Sequence, residues 1–252
     1  TAGGTAANYI AKYNTTGQAW SALGSGANNI VRALAVSGTT LYVGGDFSSV
    51  GGISNTAYIA KYTGSAWESL SSANPDSSVL ALAVSGTDLY VGGTFTKIGS
   101  DTAMSRVAQW TGSAWAALAT GLNDTVYTLT VYGGFVYAGG NFQNAGGDTS
   151  ADYAAKWDDA SWAALESGKA PNDIVYSIAV DSGGYLYAGG SFTQVNSIPY
   201  NYFAKYNTAV GQRVWTTLST GTVGLNGAVY AIAVLDSTTI YVGGAFTTAG
   251  GT

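Results

Sequence analysis

Four lysines occupy equivalent places along the chain, Lys12, Lys61, Lys156 and Lys205, each between an alanine and an aromatic ring, with Gln109 in the fifth such place. A desolvated amine can serve as nucleophile or base. A catalytic lysine, however, is singular and has dedicated partners, whereas a repeated one runs its stem over apolar surface and donates to carbonyls. Gln109 keeps the donor and drops the charge, as the second role requires. Glycoside cleavage would need carboxylates converging on one bond, and the only glutamates are Glu68 and Glu166, both in outer segments of the repeat. The chain has no His and no Cys, which removes the imidazole base, the thiolate, the disulfide, the ordinary zinc site and the ligands copper prefers. No nucleophile and base come together, so the residues imply no enzyme, no metal and no cofactor, with a glycoside hydrolase-like activity as the remaining enzymatic alternative.

A second recurring set has binding chemistry. Asn28, Asp76, Asn123, Asn172 and Asn226 each stand three residues before an apolar segment. Such side chains make Asx turns leading into a strand; arranged in a ring they would instead form a polar rim for a sugar, a water cluster or a cation. The second residue of the segment that follows varies as Arg32, Leu80, Tyr127, Tyr176 and Tyr230. Symmetry breaks here, so a single asymmetric ligand would be sensed near Arg32, with Tyr127, Tyr176 and Tyr230 also in the predicted rim of the binding face. Glycine pairs also recur, but a phosphate-cradling loop opens a helix and none is predicted after them. Their reading is close backbone approach or a bulge at a strand end.

These sets keep step because the whole chain repeats. The pairs are Gly44/Gly45, Gly92/Gly93, Gly139/Gly140, Gly189/Gly190 and Gly243/Gly244, at spacings of 48, 47, 50 and 54 residues, and a tryptophan follows the same rhythm at Trp20, Trp67, Trp115, Trp162 and Trp215. Within each period four short stretches rich in Val, Ile, Tyr and Trp are separated by Gly, Ser, Asn and Asp. In the first full unit these are A (Val31 to Val36), B (Leu41 to Gly45), C (Tyr58 to Tyr62) and D (Ala66 to Leu70). Four strands per repeat of this length predict an all-β, five-bladed β-propeller with four antiparallel strands per blade. Alternation in strand A places Val31, Ala33 and Ala35 on a small face and Leu34 and Val36 on a bulky one, which suits the innermost strand. The chain opens on C and D and closes on A and B, so the last blade is predicted to join both ends, which removes open edges. Residues 1–252 then form one domain, with repeats at 229–252 plus 1–28, 29–76, 77–123, 124–172 and 173–228. The text TAGGT stands at both ends, Thr1 to Thr5 and Thr248 to Thr252.

An apolar strand ending in Gly-Gly, then an aromatic, then a Trp five to nine residues later (Tyr62 and Trp67, Trp110 and Trp115, Trp157 and Trp162) resembles the kelch repeat and the LYVGGxFxxxGG repeats of galactose-oxidase-like propellers in bacterial and fungal surface proteins. The resemblance covers nearly the whole chain and implies the propeller fold. The chain departs from it in blade number, six or seven being usual for kelch, and in the added column Phe47, Phe95, Phe142, Phe192 and Phe246. Fold does not carry function with it.

Composition narrows the partners. Net charge is −5 and the nine basic residues are scattered, so no stripe exists to neutralise phosphates and nucleic acid is not expected. The apolar runs are too short for a spanning helix, so membrane insertion is not expected either. The absence of a Met or a leader at Thr1 fits a processed form or an excised segment, and a Cys-free, weakly charged composition fits an extracellular or cell-surface protein. The sequons at Asn14 and Asn123 decide nothing. The B-to-C loops (Gly45 to Tyr58) and D-to-A loops (Leu70 to Val79) are longer than the other turns and share one end of the strands, where binding residues are expected. The sequence therefore predicts a non-catalytic, monomeric binding or scaffold propeller for a protein or glycan, with a five-site lectin as the alternative.

Overall fold

In the computed structural model residues 1–209, 211–216 and 224–250 are described, and the last two residues of the second TAGGT copy, Gly251 and Thr252, lie outside them. The strands are β1 (Ala11–Asn14), β2 (Ala19–Ala22), β3 (Val31–Ser37), β4 (Thr40–Gly45), β5 (Ile59–Tyr62), β6 (Trp67–Glu68), β7 (Val79–Ser85), β8 (Asp88–Gly93), β9 (Val107–Trp110), β10 (Trp115–Ala117), β11 (Val126–Tyr132), β12 (Phe135–Gly140), β13 (Ala154–Trp157), β14 (Trp162–Ala164), β15 (Val175–Val180), β16 (Tyr185–Gly190), β17 (Gln194–Val195), β18 (Ile198–Pro199), β19 (Phe203–Asn207), β20 (Trp215–Thr216), β21 (Val229–Val234) and β22 (Ile240–Gly244). The chain divides into two compact units, Thr1–Ala117 and Leu118–Thr252. The first holds the sheets β1-β2, β3-β4-β5-β6 and β7-β8-β9-β10; the second holds β11-β12-β13-β14, β15-β16-β19-β20, the hairpin β17-β18 and β21-β22. All pairings are antiparallel. At the two ends, β1-β2 and β21-β22 are sheets of two strands each, where the repeat pattern predicts a single four-stranded sheet.

Every strand A carries a bulge. The register shifts between Val31 and Ala33, Val79 and Ala81, Val126 and Thr128, Val175 and Ser177, and Val229 and Ala231. The skipped residues are Arg32, Leu80, Tyr127, Tyr176 and Tyr230, the variable set of the sequence. A bulge leaves one residue without a ladder partner and re-aims its side chain. It also corrects the simple alternation. Val31 pairs with Gly45 and Leu34 with Val43, so Val31 shares the bulky face with Leu34 and Val36 rather than the small face with Ala33 and Ala35.

That shift explains the glycine pairs. In the second unit Val175 Cγ1 and Ile178 Cδ1 of one sheet reach into the space at Gly139 of the sheet before it, where a Cβ would stand 2.7 and 3.1 Å from them. Val229 and Ile232 fill the space at Gly189, and in the first unit Val79 fills that at Gly44. The first glycine of each of these pairs is thus the socket for the next sheet's bulge-shifted valine. The second glycine answers to its own sheet: a Cβ at Gly45, Gly93, Gly140, Gly190 or Gly244 would collide with the carbonyl of Ile30, Ser78, Thr125, Ile174 or Ala228. At Gly243 nothing lies within 4 Å of that space.

Tryptophans join the sheets within each unit. The Nε1–H of Trp67 donates to Leu23 O (2.7 Å), that of Trp115 to Ala73 O (3.1 Å) and that of Trp162 to Leu118 O (3.2 Å), across the boundary between one repeat and the next. Each ring meets the strand C aromatic opposite it at 5.2 to 5.6 Å, a tilted geometry that favours the ring quadrupoles. Phe47, Phe95, Phe142 and Phe192 are wholly buried. Each phenylalanine carbonyl accepts from the backbone N–H of Tyr58, Arg106, Tyr153 or Tyr202, whose own carbonyl accepts from the second glycine of the pair. Those four residues are left-handed, with φ of 64°, 66°, 61° and 72°. Bulky side chains avoid that region at about 1–2 kcal/mol each. The two backbone bonds and the buried Phe hold them there.

Candidate functional site

The five-residue polar column is a set of clamps. Asn28 Oδ1 accepts from the amides of Ser48 and Ser49 (2.9 and 3.1 Å) while its Nδ2 donates to Ser48 Oγ (2.8 Å). Asp76 accepts from Thr96 N and Lys97 N, Asn123 from Gln143 N, Asn172 from Thr193 N and Gln194 N, and Asn226 from Thr247 N and Thr248 N. Each side chain therefore pins its D-to-A loop to the B-to-C loop about twenty residues on. The Asx turn expected at these positions is not formed among the described residues; the residue after the column bonds locally instead, Asn29, Asp124 and Asp173 accepting from the amides directly following them, of Ile30, Thr125 and Ile174, at 2.8, 2.6 and 2.7 Å.

On the first unit the bulge residue Arg32 forms a two-pronged ion pair with Asp46, Nε to both carboxylate oxygens (2.9 and 2.8 Å) and Nη2 to Oδ2 (2.6 Å). The guanidinium holds the Asp46 carboxyl below the usual carboxylate range, against the opposing effect of partial burial. A depressed pKa contributes stability above the unfolded value of about 3.9 that is lost as pH falls through the folded value. Asp46→Asn is expected to remove this part of the acid loss, so the gap in urea midpoint between wild type and variant should shrink from pH 6 to pH 3. A gap that stays constant would show the pair to be without effect.

On the second unit the bulges present tyrosines. The rings of Tyr127 and Tyr176 are 5.4 Å apart and those of Tyr176 and Tyr230 5.3 Å apart, tilted by 59° and 69°. Tyr230 is 56% exposed. Burial chiefly, then Tyr176 and Asp124, pushes the Tyr127 phenol up, so its hydroxyl stays a neutral donor in the physiological range. An open pocket of about 300 Å³ is lined by Asn123, Asp124, Asn141 and Gln143. Asp124 Oδ2 accepts from Asn141 Nδ2 at 2.7 Å, and Gln143 Nε2 donates to the hydroxyl of the left-handed Tyr153 at 3.0 Å. A second open pocket, of about 360 Å³, lies on the first unit and includes Asn8, Tyr9, Asn28 and Ser49. Of the predicted site residues, Tyr127 lies within electrostatic reach of Asp124, and Asn123 lines the first pocket together with residues the sequence does not single out, namely Asp124, Asn141 and Gln143. A signal exists for two of these. Asp124 and Asn141 follow the polar column and the glycine pair directly, and the side chain at both positions changes type from repeat to repeat.

Three of the four column lysines are engaged in structural contacts. Lys156 Nζ donates to Leu165 O (3.2 Å), Lys61 pairs with Glu68 across the β5–β6 ladder (3.1 Å) and Lys205 stands 3.6 Å from the centre of the Tyr185 ring. Glu166 is held by Lys169 (2.6 Å) and by Trp215 N (2.9 Å). Among the described residues no three His, Cys, Asp or Glu side chains gather as a metal group would, and no helix is long and apolar enough to cross a membrane.

Comparison with protein-family models and with curated protein sequences gives no match. Solved structures do match in fold. One is a nidogen–laminin complex, at 13% identity and TM-score 0.54, covering 84% of this chain and 71% of the other. A second is the computationally designed protein Ika8, at 15% identity and TM-score 0.51, covering 82% and 53%. The WD40 β-propeller domain of Doa1 follows at 14% identity and TM-score 0.47, covering 86% and 62%. The chain thus spans about half to somewhat over two thirds of these structures. At such identities the likeness speaks to fold alone: the chain is an all-β protein built largely of four-stranded antiparallel sheets, similar in fold to the nidogen–laminin and Ika8 structures.

Proposed function

We propose that the chain is a non-catalytic binding module, a kelch-like propeller of five blades that acts outside the cell and holds a protein or glycan on the face of its long loops. The observation that carries this reading is a contrast, within each unit, between two sets of residues at the loop ends of the strands. The clamps Asn28, Asp76, Asn123, Asn172 and Asn226 are alike and turned inward to backbone amides, whereas the bulge residues beside them differ and are aimed away from the ladder. A scaffold that keeps its loops fixed and varies only what they present has the form of a recognition surface. Oligomerisation is not required, and the chain is read as one monomeric domain.

The same proposal completes the fifth blade from the two ends, with β21 and β22 as A and B and β1 and β2 as C and D. Three features support it. Gly243 is a socket without its valine. Trp20 and Tyr13, whose counterparts Trp67, Trp110, Trp162 and Tyr206 are buried, are 47% and 45% exposed. Leu34 and Val36, on the bulky face that follows the first strand-A bulge, are 56% and 66% exposed.

The test of function presents the full chain, immobilised, to extracellular and matrix proteins and to a glycan library. Whatever wild type retains is expected to be lost by the Tyr176→Ala/Tyr230→Ala variant and kept by Asp88→Ala, at the opposite end of the strands. Retention unaffected by the tyrosines, or turnover of a glycoside by the pure protein, would overturn the reading.

A further inference from the structure

We infer that the second unit carries one site for a neutral oligosaccharide, in the pocket of Asn123, Asp124, Asn141 and Gln143, with Tyr127 as its stacking platform and Tyr176 and Tyr230 extending that platform. The inference rests on the loop face being the binding face and names the ligand class for it.

Four observations converge. First, the pocket wall is made of amides and one carboxylate, and paired acceptors and donors on planar groups are what vicinal hydroxyls can satisfy. Its volume of about 300 Å³ is at the small end of ligand pockets, enough for one ring of a chain whose remainder lies over the tyrosines. Second, these side chains are already held in place. Asp124 is fixed by Thr125 N (2.6 Å) and Asn141 Nδ2 (2.7 Å), Asn123 by Gln143 N (2.9 Å), and Gln143 by Tyr153 (3.0 Å), so little rotamer freedom remains to be lost on binding. Third, the ring faces supply apolar area with a polar edge, the two needs of a sugar's C–H and O–H surfaces. Their separations of 5.4 and 5.3 Å keep them in one row. Fourth, the charge excludes anionic ligands. The four cations of the second unit are engaged elsewhere, Lys156 at Leu165 O, Lys169 at Glu166, Lys205 over Tyr185 and Arg213 over Phe135, while Asp124 would repel a sulfate, phosphate or uronate. The pocket also has no apolar wall in which a peptide side chain could anchor.

The site is single because the repeat does not copy it. The place of Asn141 is taken in the first repeat by Asp46, which is locked to Arg32, and in the others by Thr94, Ser191 and Ala245. The place of Asp124 is taken by Asn29, Ser77, Asp173 and Gly227. A lectin with five equal sites is therefore not what this face builds.

The experiment is calorimetric titration of the full chain with neutral tetrasaccharides built from glucose, mannose, galactose, xylose or N-acetylglucosamine, with sulfated and uronic acid-containing counterparts as controls. The expected result is saturation at one site per chain by at least one neutral series and none by the anionic controls. Tyr127→Ala and Asp124→Ala should weaken it by tenfold or more, while Tyr127→Phe, which keeps the ring, should hold within about threefold. Thermal melts establish that each variant is folded, and Asp88→Ala, in the turn of the β7–β8 hairpin, should leave the titration unchanged. No saturable binding at millimolar sugar, a stoichiometry near five, or binding indifferent to both alanine variants would overturn the inference. Should the sugars fail while a protein ligand is lost from Tyr176→Ala/Tyr230→Ala, this inference falls and the binding-module reading stands.

Discussion

Gly189→Ala is expected to destabilise the chain by about 1–3 kcal/mol, the cost of forcing a methyl into a filled space. A Cβ there would overlap Val229 Cγ1 and stand 2.9 Å from Val229 Cβ and 3.2 Å from Ile232 Cδ1. Val229 is β-branched and stiff at χ1, and its Cβ cannot turn aside, so the neighbouring strand must shift to admit the methyl. Urea unfolding measures the loss. The cause is isolated by Val229→Ala: in the double variant the two losses should fall short of additivity by about 0.5–3 kcal/mol, the range found for residues in contact. Additive losses would mean that the glycine is needed for some other reason. Gly243→Ala extends the test to the chain ends. If Gly243 stays open, alanine in a strand gains about 0.5–1 kcal/mol over glycine. If the ends complete a blade, Gly243→Ala should instead lose stability as Gly189→Ala does, and a gain would end the closure proposal.

The larger single loss is expected at Trp162→Ala, about 3–5 kcal/mol for emptying the space of a buried indole. Trp162 is 3% exposed, meets Trp157 at 5.6 Å and donates to Leu118 O at 3.2 Å. Trp162→Phe separates packing from polarity. It keeps most of the ring area and removes one of the two hydrogen bonds that Leu118 O accepts, the other coming from the Gly121 N–H, a loss of about 0.5–1.5 kcal/mol. The denaturant midpoints of the three proteins should therefore fall in the order wild type, Phe, Ala. A Phe variant as weak as Ala would place the whole contribution in the hydrogen bond, and an Ala variant near wild type would show that the joint is dispensable.

How far the sequence alone leads can be read from particular residues. The four-strand repeat was legible because both markers that define it are local: a glycine pair closes strand B and a tryptophan sits in strand D, and the sheets form at those places. Strand-A faces were only half legible. Alternation counts residues, whereas the ladder skips Arg32, Leu80, Tyr127, Tyr176 and Tyr230, so the assignment of Val31 fails at the one position that seats a sheet against the one before it. The polar column was visible as a pattern, but its partners lie about twenty residues away, beyond any local turn rule. The pocket was hidden for a related reason. Asp124, Asn141 and Gln143 are each ordinary loop residues, and only the pinning of one loop to the other brings them to a common wall.

One joint in the second unit is poorer than its fellows. By the pattern of Trp67 and Trp162, the indole of Trp215 would donate to the carbonyl of Leu165, but that oxygen already accepts from the Tyr206 hydroxyl and the Lys156 ammonium. An oxygen has two lone pairs, and among the described residues the buried Trp215 N–H finds no acceptor. Slow native-state openings begin where a fold forgoes such bonds. Solvent deuterium is therefore expected to enter the Trp215 indole ahead of those of Trp67 and Trp162, making the fourth repeat the place where this chain first comes undone.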